Sequence, residues 1–405
     1  MKTPWLLAAL VVTGCGSQLA AIPRVAHADA IEAQAAQEVL VKLKPGRQAL
    51  TRAARTLPKL GWQVVKVQGD LATAIAKLKQ DPAVAAVEPQ RLAHLFDQPK
   101  ARFNLAFNDP DLPKRQKTDE RIQLAKAWEI THGSPDVVVA ILDTGVDEAH
   151  PELQGKLVPG YDVVNDNANP HDDHSHGTSC AGIVAALADN GVGVAGMAPG
   201  CRVMPVKVLN KRGVGPLEWA AKGIVWAVDH GARVVSMSFG EDAASQVLQD
   251  AIDYARAHNV LCIASMGNDG EEVKHWPACS TGVLALGATY EDDRPALFTT
   301  EGSWVCMAAP GSRVYTISPT YEIIDPMFGK RDLNYTYFSG TSASSPVTAA
   351  VAALVISHEP AITEVALKLR LRKTSDDVGD PGWDRQSGDG RVNAFRALTE
   401  KPSAR

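Results

Sequence analysis

The sequence predicts an α/β protein whose large domain carries a mostly parallel central sheet between two layers of helices, preceded by a small α+β module. Two observations carry this. Four largely apolar segments, Val137–Leu142, Ala232–Met237, Val260–Ala264 and Val283–Leu286, lack the polar alternation of a half-exposed strand and are separated by stretches with helical spacing. Such strands are buried on both faces, which requires a parallel sheet covered by helices. Ahead of them, residues 31–96 hold two strand-helix-strand passages, the pattern of a ferredoxin-like module. Composition agrees: 45% hydrophobic and 21% charged residues describe an ordinary globular chain, and 405 residues correspond to two or three folding units. The formal charge of −5 excludes a basic nucleic-acid binder, so no nucleic-acid partner is expected. Six cysteines are too few for a disulfide scaffold.

Residues 1–30 read as an export signal. Lys2 supplies a positive charge and Trp5–Val12 an apolar run far too short to span a membrane. Val12-Thr13-Gly14-Cys15 resembles the lipobox of bacterial lipoproteins, which implies a lipid on Cys15 and through it the precursor's one membrane contact. Plain secretion, with cleavage after Ala28-Asp29-Ala30, is the competing reading. In the small module, Glu38–Lys44 alternates as a strand, Pro45-Gly46 turns, and Gln48–Leu57 has helical character. Trp62–Val67 is a second strand. Asp70–Gln80 places Leu71, Ile75 and Leu78 on one helical face before Asp81-Pro82 ends it, and Val84–Glu88 is a third strand. Residues 97–120 are polar and Pro-rich, as expected of a linker and arm, and 121–400 form the large domain.

In a parallel sheet, ligands gather at the carboxyl ends of the strands. Asp143 directly follows the first buried strand, in Asp143-Thr144-Gly145. Aspartic proteases use the same triplet but need two carboxylates sharing a proton, and the chain has no second Asp-Thr-Gly or Asp-Ser-Gly. His176 lies in His174-Ser-His-Gly-Thr-Ser-Cys-Ala-Gly182, where small residues permit close helix packing. Ser342 lies in Ser339-Gly-Thr-Ser-Ala-Ser-Ser-Pro346, ahead of a helical stretch to Ser357. Ser and Thr before a Pro-containing first turn also describe an ordinary helix start. A helix N-terminus nevertheless offers free N–H groups and a positive dipole end beside the hydroxyl, suited to a developing oxyanion.

In the order Asp, His, Ser these segments resemble the subtilisin-like serine proteases, a family whose triad order differs from those of chymotrypsin-like enzymes and α/β-hydrolases. Further motifs fall between them in the expected order. Ser236–Gly240 resembles the edge strand that binds extended substrate, and Ala264-Ser265-Met266-Gly267-Asn268 the segment ending in the oxyanion-hole Asn. Trp276-Pro277-Ala278 resembles the family's cis-proline turn, while Ala308–Gly311 and Gly390–Ala394 match later signatures. The resemblance covers roughly residues 109–398 and implies a subtilisin-like three-layer fold. It implies Ser342 as nucleophile, His176 as proton carrier, Asp143 as its orienting carboxylate, and Asn268 as oxyanion donor. Ser238, Phe239, Gly240 and Ala264–Gly267 are then the substrate-binding residues. Ala343, Ser179, Val347-Thr348 and Cys306 depart from common family residues without removing a catalytic group, and 318–337 is longer than in compact relatives.

The resemblance gives the N-terminal module a role as well. Ala86–Phe96 resembles the end of a subtilase propeptide, so residues 31–96 become intramolecular chaperone and inhibitor, cleaved after Phe96. Polypeptides are the expected substrates and a monomer the expected state. Similarity to thermitase-like members implies a structural Ca²⁺ held by the side chains of Asp109, Glu152 and Asn190 with the carbonyls of Leu187, Val192 and Val194. A second set comprises Asp162, Asp166, Asn167 and Asn169. Two rival readings remain: a catalytically silent binding module, and a metal-dependent hydrolase using the His/Asp cluster 171–176. Of the cysteines beyond Cys15, Cys180 follows the His176 motif and reads as a buried structural thiol.

Overall fold

The computed structural model describes residues 30–47, 49–50, 53–96, 117–325 and 329–402. The expectations for Cys15, for Ala28-Asp29 and for Asp109 lie outside them. Among the described residues no helix is long and apolar enough to cross a membrane.

The central sheet has seven strands, ordered Met307–Pro310, Leu284–Thr289, Leu261–Ser265, Val234–Met237, Val138–Asp143, Arg202–Lys207 and Tyr161–Asp162. Every adjacent pair is parallel. The continuous apolar runs are explained by burial on both sides. Val139 and Ile141 pack in one core with the helices His176–Ala185 and Thr341–His358. Ala140 and Leu142, their neighbours in sequence, pack in the opposite core with the helices Leu217–Asp229 and Gln246–Ala257.

Three strands escape the periodicity. Arg202–Lys207 contains Pro205, which reads as a breaker in isolation. The Val203 N–H donates to Lys156 O at 2.9 Å. Two residues on, Pro205 faces that same side, where the neighbouring chain runs from a lone bridge at Leu157 to the two-residue strand Tyr161–Asp162. The missing N–H therefore falls at a break in the ladder. Tyr161–Asp162 and Met307–Pro310 are too short to show a period.

The N-terminal module is a four-stranded antiparallel sheet in the order Ala53–Leu57, Trp62–Lys66, Glu38–Leu43, Val84–Pro89. That is the strand order of a ferredoxin-like unit, but the expected helix over Gln48–Leu57 is corrected: Ala53–Leu57 is a strand. Its Ala-rich sequence favours a helix locally. The tight turn Pro58–Gly61 folds it back onto Trp62–Val65, and its burial alternates along the strand to a buried Leu57.

The module's two sheet faces have different partners. Val39, Val41, Val65, Val84 and Val87 pack with Leu71, Ile75 and Leu78 of the helix Leu71–Lys79, the face expected from sequence. Leu40, Leu57, Leu60, Trp62 and Val64 merge with the large domain's core. Trp62 is 1% exposed. Its indole Nε1–H donates to Asp250 at 2.7 Å, and the Lys42 ammonium pairs with the same carboxylate. Glu88 completes the contact by accepting from Gln246 N and Val247 N at 2.8 and 3.1 Å, at the positive end of the helix Gln246–Ala257.

Removing the Trp62 ring deletes both burial and a hydrogen bond. Trp62→Ala in a Ser342→Ala full chain is expected to cost about 3–5 kcal/mol at this contact. The loss should be read as a lower denaturant midpoint and faster cleavage of the module by an added protease.

Candidate active site

Asp143 ends the central strand Val138–Asp143, and the helix His176–Ala185 lies close above it. The approach requires glycine: a Cβ on Gly177 would sit 2.1 Å from Gly145 O and 3.1 Å from Asp143 Cβ. At that separation His176 Nδ1 lies 2.8 Å from Asp143 Oδ1 and 2.9 Å from Oδ2. Both side chains are buried. The Asp143 carboxylate fixes the tautomer, since Nδ1 must carry the proton it shares. His176 Nε2, the opposite nitrogen, is buried with no hydrogen-bond partner among the described residues.

The turn that delivers His176 is organised by Asp172, which is 0% exposed. Its Oδ1 accepts from Thr144 Oγ1 at 2.8 Å and from His174 N and Ser175 N at 2.9 Å. Its Oδ2 accepts from Thr178 N at 3.0 Å and Thr178 Oγ1 at 2.6 Å. Burial raises the pKa of this carboxyl, but the Thr178 hydroxyl, the Lys207 charge and the backbone donors together outweigh it and hold the group below the ordinary carboxylate range. Lys207, also buried, ties Asp173 at 2.6 Å and bonds the Thr144 carbonyl. Ser175 is thereby held at φ +89°, a left-handed conformation a serine adopts only when its surroundings impose it. With all its lone pairs engaged, Asp172 is saturated, which removes it from the metal-ligand cluster considered for 171–176.

Ser342 sits in the first turn of the helix Thr341–His358, directly after Gly340 at φ +123°. Pro346 has no N–H, so the Ser342 carbonyl four residues earlier lacks its helical partner. The Ser238 hydroxyl replaces it, donating to Ser342 O at 3.0 Å. Ser342 Oγ itself points to Ser238 O at 3.4 Å. Beside it, Asn268 is oriented by its amide oxygen, which accepts from Thr341 N at 2.9 Å and Thr341 Oγ1 at 3.0 Å. That leaves the Nδ2 donors on the side of Gly340, where a Cβ would come within 3.0 Å.

Cys180 lies behind this group, its Sγ 3.8 Å from Asp143 Oδ2 and 3.9 Å from His176 Nδ1. Asp143, His176 and Cys180 offer ligand atoms within 4.8 Å of one another. Burial first, and the Asp143 charge second, push the thiol's pKa well up, so it remains a neutral thiol and a poor metal ligand.

The cleft beside Ser342 is filled by the chain itself. The strand Leu92–Leu95 lies antiparallel between Val214–Pro216 and Phe239–Gly240, with Leu95 opposite Phe239 and His94 opposite Gly240. Leu95 N donates to Gly213 O at 3.0 Å. The Phe96 ring then drops against Gly240, where a Cβ would collide with it at 2.3 Å, and meets the His275 ring edge-on at 4.8 Å. Gly267, two residues beyond the strand Leu261–Ser265, packs against His275, where a Cβ would sit 2.5 Å from Cδ2, and the cis Trp276-Pro277 bond follows directly. Sequence reasoning placed Phe96 here but missed His275, which is bonded through Nε2 to Asp269 at 2.6 Å and stands 2.8 Å from Asp242. Nothing in a single His before Trp-Pro signals that role.

The expected calcium ligands converge only in part. Glu152, 1% exposed, accepts from Tyr335 Oη and Asn190 Nδ2, each at 2.8 Å, and Asn190 Oδ1 accepts from Val192 N at 2.9 Å. The carboxylate is thus buried among neutral donors, and the 187–194 loop packs on it: Leu187 N donates to Glu152 O at 2.9 Å, and a Cβ on Gly193 would lie 2.3 Å from Glu152 Oε1. A buried carboxylate with no cationic side chain among these partners fits a hard cation. The second set does not fit: the Lys222 ammonium pairs with Asp166 at 2.8 Å, and Asp162 is engaged by Asn165.

Fold and site together define a protease with an attached prodomain, and comparison with known proteins makes this specific. Residues 134–390 match the subtilase family, and residues 25–90 match the fervidolysin N-terminal prodomain. The chain belongs to the subtilase family of serine proteases. It is 36% identical to thermitase of Thermoactinomyces vulgaris over 72% of its own length and 98% of that protein. It is 34% identical to the thermophilic serine proteinase of Bacillus sp. (strain AK1), covering 84% of this chain and 79% of the relative. Among solved structures, fervidolysin from Fervidobacterium pennivorans, a keratinolytic enzyme related to subtilisin, superposes with a TM-score of 0.76 at 26% identity. The match spans 91% of this chain and 61% of that one.

The Asp172 clamp sets a pH dependence. Its carboxyl is depressed in the folded state, so its stabilisation is fully present above the unfolded carboxylate pKa and is lost as pH falls through the lower folded value. Asp172→Ala in a Ser342→Ala chain should lose about 3 kcal/mol or more, from buried donors left without an acceptor. Thermal scans across acid pH should show the two proteins converging as the parent loses this contribution.

Proposed function

We propose that the chain is a secreted serine endopeptidase made as an autoprocessed zymogen. The observation that carries the proposal is the Asp143–His176 contact beside Ser342 at a helix N-terminus. Ser342 attacks the scissile carbonyl, His176 Nε2 takes its proton and returns it to the leaving amine, and Asp143 holds the imidazole and supports its charge. The Asn268 amide and the Ser342 N–H hold the oxyanion. Residues 31–96 act as inhibitor by lying in the cleft as a substrate would, and Phe96 occupies the pocket for the residue before the scissile bond. That occupancy favours large apolar side chains there. Secretion is supported by the signal-like residues 1–30 and by relatives such as the minor extracellular protease Epr of Bacillus subtilis. The silent-module alternative is disfavoured because all the expected catalytic side chains are present.

Wild-type chain is expected to yield a mature form whose N-terminus is Asp97, while Ser342→Ala accumulates as an unprocessed chain without peptidase activity. N-terminal sequencing and a peptide assay check both; turnover by Ser342→Ala would overturn the assignment.

We also propose that Glu152 and Asn190, with the carbonyls of Leu187, Val192 and Val194 and the side chain of Asp109, hold a structural Ca²⁺. The ion would neutralise the buried Glu152 carboxylate. At a hundredfold excess over its Kd, calcium should stabilise the Ser342→Ala chain by about 2.7 kcal/mol relative to chelator. Glu152→Gln should abolish that difference; equal unfolding temperatures of the parent in calcium and in chelator would count against the site.

A further inference from the structure

The strand Val314–Ile317 pairs with Tyr335–Phe338, and the loop between them is the long segment noted in the sequence. Its base is closed by Ser318 N donating to Asn334 O at 2.8 Å and Asn334 N to Pro319 O at 3.1 Å. From that base it holds the helix His176–Ala185 in two places. The first is the helix body. Thr316 Oγ1 donates to Ser179 O and Ser179 Oγ to Ile317 O, each at 2.9 Å. Gly182 permits the approach, since a Cβ there would lie 2.4 Å from Ile317 Cγ1.

The second place is the turn ahead of the helix, which Tyr321 meets. Its Oη donates to the backbone carbonyl of Asp172 at 2.5 Å, and its ring lies 4.8 Å from the His171 ring. Burial first, then the charges of Asp172, Asp147, Asp173 and Glu148, push the phenol's pKa up, so the hydroxyl keeps the proton it donates. One residue earlier, Thr320 N and Oγ1 donate to Asp147 Oδ2 at 2.9 and 2.8 Å, which fixes the backbone that carries Tyr321. Asp172 is thereby gripped from two sides. Its carboxylate holds the N–H groups of His174, Ser175 and Thr178, and its own carbonyl is held by Tyr321. His176 lies among the residues bound by that carboxylate, so a shift of Asp172 moves the imidazole relative to Asp143.

We propose that Tyr321 is a positioning residue for His176, acting through Asp172. The inference rests on the serine-protease reading above and gives the long segment a part in it: the loop holds the proton carrier in register with Asp143 and Ser342. Tyr321 bonds the 171–172 turn, whereas Leu92–Leu95 is held by Val214–Pro216 and Phe239–Gly240. Its loss should therefore lower kcat and leave KM alone.

The test uses the full chain, allowed to process itself, with a Phe nitroanilide as substrate. Tyr321→Phe keeps the ring beside His171 and removes the hydroxyl, so kcat should fall roughly threefold to tenfold, the scale of one hydrogen bond, at unchanged KM. Tyr321→Ala removes the ring as well and should lose on the order of a hundredfold in kcat, the effect of a misplaced imidazole, so that Phe is a partial rescue. Lys330→Ala, which removes only an exposed pair with Glu322 in the same segment, should keep both parental constants. Parental kcat in a folded Tyr321→Ala chain, a loss confined to KM, or an equal loss in Lys330→Ala would overturn the role. Should the Tyr321 variants fail to mature, the unprocessed Ser342→Ala chain decides. There the proton resonance of His176 Nδ1–H should move or broaden in Tyr321→Phe, and an unchanged resonance would reject the proposal. A parent that hydrolyses the substrate while its Tyr321 variants match it rejects this inference alone, whereas a parent that hydrolyses nothing rejects the protease reading beneath it.

Discussion

Two buried carboxylates at the end of one strand constrain this molecule. Asp143 and Asp172 are 1% and 0% exposed, and a bare carboxylate at such a position would cost several kcal/mol. Each is tolerated because specific donors surround it. Asp172 gathers the backbone of 174–178, two threonine hydroxyls and the nearby Lys207 charge. Asp143 takes His176. Neither can be satisfied unless the helix His176–Ala185 descends onto the strand, and Gly177 permits that descent. The polar satisfaction of two acids thereby sets the position of the imidazole to within hydrogen-bonding tolerance.

The same economy governs Ser342. Pro346 would be a defect in an ordinary helix, since it orphans the Ser342 carbonyl. Here the orphan is the attachment point for Ser238, so the segment leading into Phe239–Gly240 is tied to the Ser342 helix. A shift of either would leave a buried acceptor unpaired, which gives the register between cleft and serine a direct energetic cost.

The prodomain uses two kinds of contact. Its sheet docks through apolar area around Trp62, backed by the Asp250 and Glu88 carboxylates, and its last strand docks through backbone pairing to two exposed edges. Backbone pairing gives affinity without depending on which side chains the strand carries. Side-chain contact is concentrated at the end of that strand, where Phe96 meets His275 and its carboxylate neighbours.

Much of this was legible in the sequence, for local reasons. Four strands buried on both faces announce themselves by unbroken apolar runs, and Asp143, His176, Asn268 and Ser342 each sit in a short motif whose residues are needed within a few positions of the functional group. What escaped depends on partners distant in the chain. Ala53–Leu57 prefers a helix until Trp62–Val65 offers it a ladder, and Pro205 reads as a breaker until a gap in the neighbouring strand makes its missing N–H harmless. Asp172 as a loop clamp and His275 against Phe96 have no motif, because each joins side chains separated by tens to hundreds of residues. The sequence by itself determined the layers and the family; the tertiary structure alone decided which acids are buried and what pairs them, since burial and pairing of a charge are properties of its surroundings.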